Sequence, residues 1–304
     1  METLLIPLTL LLGALLAVQA GANLQLATAM SSPIGASAAQ LAVGTVALVA
    51  LAALIGTLGA VDLLPAAEPW HLAGGVASAL YITAGILLFP RLGAVSAVGL
   101  FIAGQMLASL LVDGLGLLGV ASRPLGAAGV LGGIAVLAGA VAITRAGSIG
   151  GAVPHRGAWI AFGLLAGVGL ALQGPVNAQL RSDLDAPVTA GAFSFLVATA
   201  VMGTVLTAWL AGTGAPRPRA PRRSMPWWGW LGGLVGAAYV TSVPLLIGEI
   251  GAAATIGLTV AGQQLASLAV DRFGLLRLPR RPLTATRTAG VALLLAGVAL
   301  IGLA

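Results

Sequence analysis

Residues 171–180 read Ala-Leu-Gln-Gly-Pro-Val-Asn-Ala-Gln-Leu, placing three amides and a Gly-Pro pair inside an apolar run long enough to cross a bilayer. Amide side chains are costly in hydrocarbon unless they meet a partner or line a cavity, so the cluster marks a functional candidate. Near the N-terminus, residues 17–26 read Ala-Val-Gln-Ala-Gly-Ala-Asn-Leu-Gln-Leu. Both stretches space Gln and Asn by four, which puts Gln173 with Asn177, and Gln19 with Asn23, on one face of a helix.

The surroundings of these stretches exclude an ordinary soluble domain. Of 304 residues 59% are hydrophobic and 7% charged, with a mean hydropathy of +1.07, the signature of a polytopic membrane protein. At roughly 20 residues per span the length allows about ten spans. A net charge of +6 would suit nucleic acid, but the Arg residues lie in loops between apolar runs, where they act as topology signals. Absence of Cys excludes disulfides, thiolate metal sites and Cys nucleophiles. Only Met1-Glu2-Thr3 precedes the first apolar run, and Gln19 and Asn23 interrupt it, so it reads as a retained span rather than a signal peptide.

In chain order, Ser31-Ser32-Pro33 turns the first span into a second, expected to end near Leu58, and Trp70 opens a third. The fourth carries Gln105, Ser109 and Asp113, four apart on one stripe. The Gly-rich, basic segment 144–156 reads as a linker. Beyond it the first part recurs. Adding 154 carries Gln19, Asn23, Gln25 and Pro33 onto Gln173, Asn177, Gln179 and Pro187. Adding 158 carries Trp70, Gly74, Gly75, Tyr81, Thr83, Gly104, Gln105, Ser109, Asp113, Gly116, Arg123 and Pro124 onto Trp228, Gly232, Gly233, Tyr239, Thr241, Gly262, Gln263, Ser267, Asp271, Gly274, Arg281 and Pro282. Chance similarity among Ala/Leu/Gly helices does not match rare polar residues in this way. The chain therefore reads as a five-span repeat over 1–143, a linker over 144–156 and a second five-span repeat over 157–304.

Five is odd, so two fused copies enter the membrane from opposite sides. The loops after spans three, five, seven and nine hold every Arg except Arg123 and Arg181, so the positive-inside rule makes them cytoplasmic and puts both termini outside. The expected fold is an all-α membrane protein, ten transmembrane helices as two inverted five-helix repeats. Such repeats place a substrate site near the midplane and alternate access by rocking one half against the other.

The Gln-x-x-x-Asn-Ala-x-Leu pattern at Gln173, Asn177, Ala178 and Leu180, its looser copy at Gln19 and Asn23, and Gly-Gln-x-x-x-Ser-x-x-x-Asp at 104–113 and 262–271 together resemble the YdcZ family of bacterial inner-membrane proteins, within the drug/metabolite transporter superfamily. The resemblance implies a fused, two-repeat exporter of the inner membrane. Related small multidrug exporters use a membrane-embedded Glu in the first helix. Spans one and six here carry Gln and Asn instead, which speaks against cationic substrates and proton antiport at that place.

The expected substrate-binding residues are Gln19, Asn23, Gln173, Asn177, Gln105, Gln263, Tyr81 and Tyr239. For the amides the competing reading is interhelical glue, and for the tyrosines ordinary packing. Asp113 and Asp271, at helix ends, are the candidates for ion coupling, against plain solvation or helix capping. The Trp residues at span starts read as interfacial anchors, and His71 and His155 as lone histidines without a second metal ligand. Gly129, Gly132, Gly133, Gly139, Gly290 and Gly297 give spans five and ten small faces, for packing within the chain or between copies. No catalytic triad, paired carboxylates or phosphate loop occurs, so no enzyme, metal or cofactor is expected. The leading expectation is a transporter exporting a small polar metabolite or drug-like molecule, neutral or zwitterionic, with the lipid bilayer as its other partner. A channel, an uncoupled facilitator or a non-transporting scaffold are the alternatives, and a monomer of two repeats or a homodimer the assemblies.

Overall fold

The computed structural model describes residues 2–120, 122, 126–146, 153–221, 225–250 and 252–302. The chain forms α1 (Glu2–Met30), α2 (Pro33–Leu54), α3 (Gly75–Leu92), α4 (Ala94–Leu115), α5 (Ala127–Ala146), α6 (Arg156–Leu184), α7 (Pro187–Thr213), α8 (Leu231–Ile250), α9 (Ala252–Phe273) and α10 (Ala285–Gly302), with no strand among the described residues. Eight of the described helices are long and apolar enough to span a bilayer, and Ala285–Ile301 is a shorter apolar one. This is an all-helical membrane protein. Residues 147–152 of the expected linker, and Arg123, Arg222 and Arg223, lie outside the described residues.

Local sequence explains the helix boundaries. Ser32 caps α2, its Oγ accepting from Gly35 N at 3.0 Å, with Pro33 at the first helical position. Pro187 opens α7 in the same way. Gly116 and Gly274, at repeat-equivalent positions, end α4 and α9 in the left-handed region at φ +64° and +67°. The third and eighth spans differ from expectation in their first turns. Each opens as a tight 3-10 segment, Pro69–Gly74 and Trp227–Trp230, before the α-helix starts. The second span stops at Leu54 rather than Leu58, and a further 3-10 segment, Leu58–Ala66, follows Gly56 at φ +76°.

The chain forms two compact units. One comprises Met1–Val18, Leu88–Ala171 and Leu245–Ala304; the other comprises Gln19–Leu87 and Leu172–Pro244. Each unit draws on both sequence repeats, and the partition falls inside α1, α3, α6 and α8. It cuts α6 at Ala171, whose carbonyl loses its helical donor to Pro175, and α8 beside Pro244.

In the first unit α4 is buried along most of its length, with Val95, Val98, Phe101 and Ile102 enclosed. Glycines let its neighbours approach by backbone. A Cβ on Gly104 would collide with the Leu164 carbonyl of α6, and one on Gly262 with the Leu10 carbonyl of α1. Leu10 and Leu164 are repeat equivalents, as are Gly104 and Gly262. The α5 and α10 pair follows the same logic. A Cβ on Gly132 would meet the Gly297 carbonyl at 2.7 Å, and one on Gly139 the Gly290 carbonyl at 2.6 Å. Ascending numbers on one helix meet descending numbers on the other, so the two run antiparallel. These glycines serve helix packing within the chain.

In the second unit α2 packs on α7, and Thr45 Oγ1 meets Thr199 Oγ1, its repeat equivalent, at 2.9 Å. Leu26, Leu41, Leu48, Ile82, Ile86, Phe195 and Met202 form the apolar core around this pair. Gly75 lies on the α7 backbone at Ser194 and Ala198, and Gly233 lies on α2 at Gln40 and Gly44. Those contacts too are repeat equivalents.

Gly139→Val pushes a branched side chain into the α10 backbone and is expected to cost about 1–3 kcal/mol. Gly203→Ala, with nothing within 4 Å of the new Cβ, is expected to be neutral or to stabilise by up to about 1 kcal/mol. Thermal unfolding of the two variants in detergent checks both.

Candidate functional site

The amide stretch of α6 lies in the second unit against the start of α3. Gln173 is 4% exposed and donates Nε2 to Ser78 Oγ at 2.6 Å. One turn on, Asn177 lies on Gly74, where a Cβ would collide with Asn177 Oδ1. Further along the seam His71 Nδ1 pairs with Asp183 Oδ2. Partners 78, 74 and 71 descend as 173, 177 and 183 ascend, so this is an antiparallel seam with three polar stations. Gly174 has nothing within 4 Å of a notional Cβ and points away from it.

The stretch in α1 makes the equivalent seam with α8. Gln19 donates Nε2 to the Gly232 carbonyl at 3.0 Å, and a Cβ on Gly232 would collide with Asn23 Oδ1. Gly236 stands where the other seam has Ser78, so Gln19 reaches a backbone carbonyl instead of a hydroxyl. A second amide completes the station. Gln40 donates Nε2 to the Gly229 carbonyl at 2.5 Å and accepts from Gly233 N at 2.7 Å.

Several buried polar atoms in the two units have no hydrogen-bond partner. In the second unit they are Asn23 Oδ1, Asn177 Oδ1, Gln173 Oε1 and Ser194 Oγ. Both asparagine oxygens rest against a glycine, a Cα–H contact worth at most about 1 kcal/mol. They keep acceptor capacity. In the first unit Gln105 Nε2 and both amide atoms of Gln264 are in the same condition.

The remaining expected residues divide between the units. Tyr81, buried, and Tyr239, half-buried, belong to the second unit, each three residues beyond a seam station. Gln105 and Gln263, both buried, belong to the first. Asp113 is half-buried at the end of α4. Asp271 is enclosed at 1% exposure, accepts from Ala94 N at 3.0 Å and Val95 N at 3.2 Å, and pairs with Arg287 at 2.5 Å. The carboxylate of α9 thus caps the N-terminus of α4, where the helix dipole favours negative charge. Beside it, burial pushes the Arg281 guanidinium below its ordinary value, with the Asp271 charge opposing and the Arg287 charge adding. Arg91 stacks over Trp159 at 4.3 Å.

Sequence reasoning missed four of these residues. His71 is not lone, because Asp183 comes to it from 112 positions away. Gln40 and Gln264 are amides inside apolar runs, and the rule that singled out Gln173 would have found them. Arg287 was read only as a loop charge. Among the described residues no group of three or more His, Asp or Glu could hold a metal ion.

Asp271→Asn leaves Arg287 buried without its counter-charge and is expected to lower stability by about 3–5 kcal/mol. A melting curve of the detergent-solubilised variant, beside one of Asp113→Asn, reads the difference.

The family model described as "Putative inner membrane exporter, YdcZ" matches residues 4–142 and, a second time, 158–300. No curated protein matches the chain. A solved structure described only as "Crystal structure of protein" is similar over 95% of each chain, with 20% sequence identity and a TM-score of 0.54. That likeness concerns the fold alone.

Proposed function

We propose that this chain, which belongs to the YdcZ family of inner-membrane exporters by two successive matches along its length, exports a small, hydrogen-bonding molecule by opening two equivalent helix seams in turn. The observation that carries the reading is the paired geometry of the second unit. Gln173 and Asn177 close α6 on α3, and Gln19 and Asn23 close α1 on α8, through the same glycine positions. The antiparallel pairing of α5 with its repeat equivalent α10 supports two inverted five-helix repeats over 1–143 and 157–304. Inversion turns two equivalent seams into two doors on opposite faces of the membrane. The loop arginines support extracytoplasmic termini.

Unpartnered acceptors on Asn23, Asn177 and Gln173 favour a substrate rich in N–H or O–H donors over one that offers only acceptors. When a seam opens, its glutamine and asparagine lose their helix partners and offer the same groups to the substrate. Tyr81 and Tyr239 flank the two seams, and Gln105 and Gln263 are separate candidates within the first unit. In this reading Asp271 is a structural cap, and Asp113, half-buried at the end of α4, is the coupling candidate.

A thermal-shift screen of the purified protein against metabolites tests the proposal. A ligand at a hundred times its Kd raises stability by about 2.7 kcal/mol. Gln173→Leu and Asn177→Leu are expected to remove that shift while keeping a cooperative melt, whereas a scaffold loses folding or nothing. Reconstituted flux that saturates and shows counter-transport distinguishes a carrier from a channel.

A further inference from the structure

The two seams differ at their outermost station. In the α1–α8 seam the turn before α8 is held by an uncharged clamp, Gln40 on the Gly229 carbonyl and the Gly233 amide. In the α3–α6 seam the residue equivalent to Gln40 is Ser194, whose Oγ has no partner, and the turn is held by His71 and Asp183. Their equivalents in the other seam are Gly229 and Ala29, neither of which titrates. The structure assigns to His71–Asp183 a proton-binding site that latches the α3–α6 seam, an inference that rests on the two-door reading above and names the ligand of one door as a proton.

The chemistry follows from the atoms that face each other. With Nδ1–H donating to the carboxylate, a neutral imidazole leaves the pair with a net charge of −1. A proton taken from water at Nε2 makes an imidazolium and brings the pair to zero. Burying a neutral ion pair costs far less than burying an uncompensated carboxylate. The protonated pair therefore closes the seam, and the deprotonated pair drives the Asp183 end toward water. The exposure suits exchange with solvent: the His71 side chain is 9% exposed and that of Asp183 29%.

The neighbourhood leaves the pair in control. Trp70 covers the imidazole edge-on, with ring centroids 4.0 Å apart. Leu180, Leu184, Ala186 and Ala190 pack with Leu64 and Leu72 as an apolar cluster along the same segment. α7, which packs on the 3-10 segment carrying His71, contains no charged residue. On the other elements, Asp62 and Glu68 are exposed, Asp185 is exposed beyond α6, and Arg181 is engaged with the Pro244 carbonyl at 3.2 Å. An imidazole is the side chain whose ordinary charge change falls between about pH 5 and 8.

The chain has no Cys, so Ser78→Cys introduces a single thiol two turns deeper than His71. Its labelling by a small water-soluble maleimide, divided by the rate in the SDS-unfolded protein at the same pH, reports opening independently of thiol ionisation. The ratio is expected to rise at least about fivefold from pH 6 to pH 8, as the imidazole loses its proton. Adding His71→Gln or Asp183→Asn is expected to abolish that rise. A flat profile in Ser78→Cys itself, or an unchanged rise in either double variant, overturns the latch; if one double variant does not fold, the other decides. No substrate enters the measurement, so its failure leaves the transport reading standing, and a failed ligand screen leaves the latch standing.

Discussion

The second unit depends on what two adjacent glycines permit. Gly74 accepts the Asn177 amide of α6 on one side of α3, and Gly75 accepts the α7 backbone on the other. A methyl group at Gly74 would hold α6 off, and with it the hydrogen bond from Gln173 to Ser78, and one at Gly75 would hold off α7. Gly232 and Gly233 fork α8 between α1 and α2 in the same way. In hydrocarbon no water satisfies an amide that loses its partner, so the glycine pair sets both the packing distance and the polar accounting. The first unit uses the same device without amides, resting Gly104 and Gly262 directly on the carbonyls of α6 and α1.

Against that shared frame the differences between the halves carry information. Ser78 faces Gln173 where Gly236 leaves Gln19 to find a backbone carbonyl, and Gln40 clamps a turn whose equivalent is left to Ser194. Two seams with identical chemistry would respond identically to any change in solvent. Divergence at the outer stations, with the glycines and inner amides kept, is what a carrier needs if one face alone is to sense its compartment.

The polar frame was readable because amides are rare in Ala/Leu-rich helices, and two offsets paired all of them except Gln40 and Gln264. Gln19, Asn23, Gln173 and Asn177 stand at helix crossings, as their four-residue spacing implied. Which helix each one meets was not legible. Periodicity gives a face but not its neighbour, and a repeat relates residues across the halves without saying which of them touch. The compact units show the consequence, since each mixes segments of both repeats and divides four helices within their length. The 3-10 openings at Pro69–Gly74 and Trp227–Trp230 were likewise hidden, because a Trp at a span start predicts an interfacial anchor and not the turn that precedes the helix.

Asp271 shows how a buried carboxylate becomes a structural fixture. It accepts two backbone amides of α4 and the Arg287 guanidinium, so neutralising it would leave an arginine enclosed at 2% exposure without a counter-charge. Asp113 occupies the equivalent place on α4, but the position equivalent to Arg287 is Gly129, which brings no charge. Asp183 differs from both. Its partner is an imidazole, which changes charge near neutrality, and nearly a third of its side chain meets solvent. The same ion-pair chemistry that locks α9 to α4 where arginine supplies the cation becomes reversible where histidine does.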